Sequence, residues 1–352
     1  EFYYNIEEPD PDDESVPVLL QNNSIVTPFE AVTGMYSLPG RHDIDPTAIL
    51  APFYFLFFGL MLSDAAYGLI LTTLCAIILK KYKPEGTTHR MIKMFMFCGL
   101  STFMWGALFG GWFGNFFTVA AKTFFGKEFV IRPLWFDPLS EPMRLLVVSL
   151  ILGAIHLFVG MGVQAYMDIK DGRPLDALFD IGLWYLLLIG IVLFAFGGKL
   201  GAGAVGIGKI MAIVGAVGIL LTGGRKKKGI FGKLTGGLGS LYGITSYLSD
   251  VLSYSRLLAL GLATGVVAQV FNTLGSLAGG GIAGSILLIV VFAFGTVFNI
   301  AINALGAFVH SCRLQYVEFF GKFYTGGGRP FAPFERKTKY IKILKEGNDN
   351  VK

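Results

Sequence analysis

Residues 239–272 read GSLYGITSYLSDVLSYSRLLALGLATGVVAQVFN, with Asp250 and Arg256 their only charged side chains. About 20 mainly apolar residues cross the hydrocarbon core of a bilayer, so this run is long enough to span one. Arg256 stands near its middle. An arginine there costs a few kcal/mol and cannot escape by losing its proton. It must face protein, water or a counter-ion.

Tyr242, Ser246, Ser249, Ser253 and Arg256 follow one another at steps of four and three, which keeps them on one stripe of a helix. Asp250 falls on the adjoining face. Serines alone would also suit close helix packing, with hydroxyls bonded to their own backbone. That reading leaves the arginine unexplained. A second apolar run, 282–323, repeats the pattern with Asn299, Asn303, Gly306, His310 and Arg313, followed by Gln315 and Glu318. A lone histidine there would be an ordinary helix–helix hydrogen bonder. Two polar ladders, each ending at an arginine, favour a hydrated path instead.

The segments YLSDVLSYSRLLALGLATG (247–265) and AFVHSCRLQYVEFFGKFYTGGGRPFAPF (307–334) resemble the last two membrane helices of the a subunit, or subunit I, of V-type and archaeal-type rotary ATPases. PFYFLFFGLMLSDAAYGLIL (52–71) is similar to that family's first membrane segment. The likeness runs from about Thr27 to Phe334. It implies a stator subunit pressed against a rotating c-ring of proteolipid subunits whose carboxylates carry ions. Arg256 would face those carboxylates, favouring their charged form and barring leakage between two half-channels. Arg313 matches the second arginine that the family places close by.

The resemblance makes Tyr242, Ser246, Ser249, Asp250 and Ser253 candidates for one half-channel. Asn299, Asn303, His310, Gln315 and Glu318 are candidates for the other. Proton-pumping relatives often carry acids at the positions of Asn303 and Tyr242, so their absence leaves H+ and Na+ both open as the transported ion. Further implied partners are the peripheral and central stalk subunits, membrane lipids and the protein's own N-terminal cytosolic domain. The chain is then the C-terminal membrane part of a longer protein.

Composition agrees with a membrane protein: 53% hydrophobic residues, with Gly 47 and Phe 32, and a mean hydropathy of +0.62. A net charge of +5, concentrated in short loops, reports topology and argues against nucleic acid. Cys75, Cys98 and Cys312 lie in apolar runs and read as packing residues. No phosphate-binding loop, zinc spacing or nucleophile elbow appears, so neither a catalytic residue nor a bound cofactor or metal is expected, and the chain alone is not an enzyme.

Residues 1–46 read as a linker remnant, 47–325 as the membrane domain and 326–352 as a cytoplasmic tail. Within the domain, 47–238 would be scaffold and 239–325 the ion-translocating pair. Seven apolar runs are evident: 47–80, 91–119, 142–168, 176–197, 203–222, 239–274 and 282–324. Lysines and arginines cluster at 80–93, 170–173, 225–233 and 336–345, on one side if each run crosses once. Seven crossings would put Glu1 on the other side, against the family's cytoplasmic N-terminal domain. The 47–80 run would be about 50 Å long as one helix, and Ser63-Asp64 interrupts it, giving Asp64 a structural role. Splitting it there gives two short helices and eight segments in an all-α, polytopic fold. The last two would be long, tilted and facing the ring, and both termini cytoplasmic, in a prokaryotic plasma membrane. A stand-alone transporter or channel binding an anion through its arginines, and a purely structural anchor, are the competing readings.

Overall fold

Every apolar run folds as helix in the computed structural model, which describes residues 3, 16–40, 43–126, 130–199, 201–225, 230–277 and 281–332. A two-residue strand, β1 (Pro17–Val18), and a 3-10 turn lead to α1 (Glu30–Tyr36), α2 (Thr47–Leu62), α3 (Ala65–Tyr82), α4 (Gly86–Phe109), α5 (Phe116–Phe125) and α6 (Pro142–Lys170). Then come α7 (Pro174–Asp176), a π turn (Ala177–Gly182), α8 (Leu183–Phe196) and α9 (Ala202–Thr222). The chain finishes with α10 (Ile230–Tyr242), α11 (Ile244–Ser253), α12 (Ser255–Ser276), α13 (Ile282–Arg313), a second π turn (Leu314–Phe319) and β2 (Arg329–Pro330). Among the described residues, seven stretches are long and apolar enough to cross a membrane, and α2 is a shorter apolar helix.

The first long run breaks at Ser63-Asp64. Ser63 takes the left-handed conformation (φ 35°), so α3 turns back and both helices lie along α4. The approach is close enough that a Cβ on Gly106 would collide with the Ala65 backbone nitrogen. A helix that starts inside a bundle must satisfy its first N–H groups without water. Here the Ala65 N–H donates to the Gly111 carbonyl (2.8 Å), and those of Ala66 and Tyr67 donate to Asp64 Oδ1 (3.0 and 3.2 Å). The Gly68 N–H begins the helical ladder on the Asp64 carbonyl (3.0 Å). Asp64 also accepts from the Phe113 N–H through Oδ1 (3.1 Å) and from the Gly114 N–H through Oδ2 (2.9 Å). It therefore pins the turn to the α4–α5 connection.

Two runs differ from the sequence expectation. The 91–119 run is not one helix: α4 stops at Gly110, which is left-handed (φ 73°), and α5 starts afresh at Phe116. The 239–272 stretch is three helices, with tight turns at Gly243 and Tyr254. There the Ser246 and Leu257 N–H groups bond three residues back, to the Gly243 and Tyr254 carbonyls. Periodicity alone does not register such kinks, because the dihedrals stay near helical values.

The larger core joins α2, α4, α6, α12 and α13 around Tyr54, Phe57, Phe58, Tyr254 and Phe319, all fully buried. A smaller core (Met161, Ile181, Trp184, Leu187, Ile219) seats the α8–α9 hairpin on α6. The two ends of the described chain meet. Strands β1 and β2 pair in parallel, the Gly328 N–H donates to the Leu38 carbonyl (3.0 Å), and Asp43 accepts from Thr325 Oγ1 and the Gly326 N–H (both 2.8 Å). The acidic run 7–14, Lys226 to Lys228 and the basic tail at 336–345 lie outside the described residues.

Candidate functional site

Helices α12 and α13 pack antiparallel, and the two polar ladders divide by depth. Asn299 Nδ2 donates to the Thr264 carbonyl (3.1 Å) and the Tyr67 hydroxyl (3.0 Å), and Asn303 donates to the Asn299 carbonyl (3.1 Å) and side-chain oxygen. Both asparagines are buried. Asn299 ties α13 to α12 and α3 inside the packed contact, and Asn303, one turn on, braces Asn299. Tyr242, Ser246 and Ser249 are exposed on α10 and α11, whereas Ser253 Oγ donates to the Ser249 carbonyl (3.1 Å). Asp250 is not free. It forms an ion pair with Lys322 (2.5 Å), whose ammonium also lies 4.3 Å from the Tyr247 ring centroid. The pair joins α11 to the 3-10 turn (Phe320–Lys322) that follows α13 and its π turn.

The remaining residues converge. Arg256, on the first turn of α12, lies within electrostatic reach of Arg313 and Glu318, and His310 within reach of both arginines. Among the described residues, seven buried side-chain atoms have no hydrogen-bond partner. Three of them, Arg256 Nη1, His310 Nδ1 and Glu318 Oε2, belong to this cluster, and a fourth, Gln315 Nε2, lies behind it on the side of His156, which marks the region as the polar centre of the fold. Two guanidiniums face one carboxylate, an excess of positive charge. Arg313 is exposed on the outer face of α13, among Leu305, Val309 and Val317, which are exposed too. Each arginine stands at a helix irregularity: Arg256 after the Tyr254 turn, Arg313 just before the π turn. Such π turns recur at functional sites because they re-aim side chains.

A cavity of about 230 Å³ adjoins the Ser63-Asp64 turn, bounded by Asp64, Asn115, Asp137, Gly261, Gly265 and Gln269. Among the described residues, no three His, Cys, Asp or Glu side chains stand together as metal ligands.

Sequence reasoning passed over two residues. Lys322 was one, since nothing local reveals a partner 72 residues away. His156 was the other. It is fully buried on α6, with Nδ1 2.7 Å from the Tyr254 hydroxyl and Nε2 3.1 Å from Gln315 Oε1. Its signal was present: Ser149, Gly153, His156, Gly160 and Val163 step by four and three, and all five are buried.

Residues 244–336, which hold this whole cluster, match the V-type ATPase 116kDa subunit family. Over 96% of its length the chain is 36% identical to the A-type ATP synthase subunit I of Methanocaldococcus jannaschii. The chain belongs to this family. It is also 37% identical, over 97% of its length, to the A-type ATP synthase subunit I of Thermococcus kodakarensis. The V-type ATP synthase subunit I of Chlamydia trachomatis is 24% identical over 95% of the chain. The chain spans about half the length of these relatives (52%, 51% and 58%). Seven long apolar helices among the described residues, with membership in the subunit I family, place the arginine cluster in a multi-pass membrane protein.

Proposed function

We propose that this chain is the membrane part of a rotary-ATPase stator, and that its α12–α13 pair carries H+ or Na+ past the carboxylates of a rotor ring. The observation that carries the reading is Arg313, exposed on an apolar outer face beside the unpaired Nη1 of Arg256. In lipid such a pair needs an external counter-charge, and a ring carboxylate supplies one. An anion-binding transporter would hold its arginines inward at a site between repeats. The outward-facing Arg313 favours the ring. The cavity at Gly261, Gly265 and Gln269 is the far-side mouth of the path in this reading, and the other helices are scaffold.

Cross-linking in the assembled complex tests it. Leu252→Cys, Ala259→Cys and Val309→Cys, on exposed positions beside Arg256 and Arg313, should trap ring subunits, and Ile189→Cys on α8 should not. Trapping at Ile189 alone would move the ring contact to the scaffold and overturn the reading.

Eight crossings and cytoplasmic termini belong to the same proposal, with α2 and α3 as the in-and-out pair and the joined chain ends on the basic side. Thr87→Cys and Asp171→Cys should then react with an impermeant thiol reagent from the cytoplasmic face, and Ser140→Cys from the other. Reaction of Thr87→Cys and Asp171→Cys from opposite faces would refute this topology.

A further inference from the structure

We infer that His156 is a positioning residue which sets the rotation of both arginine-bearing helices from behind, an inference that rests on the ion path proposed above. Tyr254 lies two residues before Arg256, and Gln315 two residues after Arg313. Two residues along a helix turn about 200°, so side chains at that spacing point in opposite directions. Tyr254 and Gln315 are accordingly buried, Arg256 is half-buried and Arg313 exposed.

One imidazole holds both inward groups. With Gln315 Oε1 as the acceptor, His156 carries its proton on Nε2, and Nδ1 accepts the Tyr254 O–H. Exchanging the two ends of the Gln315 amide reverses every donor and keeps both bonds. The tether therefore holds in either sense. An amide cannot take up a proton and pass it on, so the chain Tyr254–His156–Gln315 ends at Gln315. It is a brace, not a wire.

The surroundings hold the imidazole still. Its ring stacks on Phe319 (4.3 Å between centroids, 14° between planes) and lies 4.4 Å from Phe53 and 5.1 Å from Phe57. Gly153 and Gly160 flank it on α6. A Cβ on Gly153 would run into the Tyr254 ring, and one on Gly160 would press on the Phe319 ring at 3.0 Å. Helix α6 thus comes close enough for one side chain to reach both arginine-bearing segments. Two side-chain bonds fix the orientation of two helices whose outward charges must meet a moving partner.

The test is the order of three substitutions, read as ATP-driven ion transport per assembled complex. His156→Asn keeps a polar group near Nδ1, His156→Gln keeps one near Nε2, and His156→Phe keeps the stacked ring but neither bond. Positioning predicts a loss of about threefold for Asn and Gln and roughly tenfold for Phe, one and two net hydrogen bonds respectively. A packing role predicts the reverse, with Phe nearest to wild type and Asn worst, and that order would overturn the inference. Tyr254→Phe removes one hydroxyl from an unchanged ring and should cost about threefold. A wild-type rate there also overturns it, including where a His156 variant does not assemble. Arg256→Ala separates the two levels: a wild-type rate in that variant refutes the ion path itself. An inactive Arg256→Ala beside a fully active His156→Phe removes only the role of His156.

Discussion

Arg256→Ala is expected to abolish ion transport coupled to ATP turnover while the complex still assembles. The two halves of that expectation have separate causes. Assembly survives because Arg256 Nη1 bonds to nothing among the described residues, and the packing around it runs through Tyr254 and Leu257, both fully buried. Removing a half-buried charge takes away a cost of folding in lipid rather than a support. Transport should fail because, in the proposed path, the charge acts on a ring carboxylate. At about 4 Å and an effective dielectric near 20, a guanidinium and a carboxylate attract by roughly 4 kcal/mol before desolvation is subtracted. That is enough to favour the charged form of a ring carboxylate and expel its ion, yet weak enough to release the ring again. Arg256→Lys should keep a small fraction of the rate, since an ammonium keeps the charge but loses the planar fork. A coupled rate near wild type in Arg256→Ala would sink the mechanism.

How much of this is legible in the sequence depends on what each signal measures. Hydropathy and the spacing of polar residues report one helix at a time. They expose the apolar runs, the break at Ser63-Asp64 and the stripe through Arg256. What they cannot report is the neighbour. Asn299 and His310 stand on the same stripe of α13, yet Asn299 is bonded into the contact with α12 and α3, while His310 keeps an unpaired Nδ1 beside the arginines. Asp250 is paired with Lys322, which comes from a turn beyond α13 and its π turn, a partner that no local spacing reveals. His156 is the clearest case. Its bonds are to residues 98 and 159 positions away, and on α6 it is one polar residue in an apolar helix. The stripe of small residues it shares with Ser149, Gly153 and Gly160 is the hint that other helices come close there.

The largest effect on folding should come from Asp64→Ala. Asp64 is 3% exposed, and its carboxylate accepts four backbone N–H groups from two segments, α3 and the α4–α5 connection. Alanine takes the shared acceptor from all four donors, and a water entering from the cavity that Asp64 borders would be neutral and tethered to neither segment. A hydrogen bond to a charged group contributes about 1.5–3 kcal/mol, and such bonds are not additive when shared by one side chain. A loss of about 3–5 kcal/mol is the scale for stripping one partner from a buried charged network, comparable with the whole stability margin of a small domain. Little assembled complex should therefore be recovered from membranes expressing Asp64→Ala, in contrast to Arg256→Ala. Asp64→Asn gives a finer test. Its carbonyl oxygen can still accept from Ala66, Tyr67 and Phe113, all of which bond to Oδ1, but its amide would point two donors at the Gly114 N–H, which bonds to Oδ2. The recovered amount should fall between wild type and Asp64→Ala. If Asp64→Ala assembled as fully as wild type and lost only transport, Asp64 would belong to the ion path through the cavity it borders, and its part in ending α2 and starting α3 would be secondary.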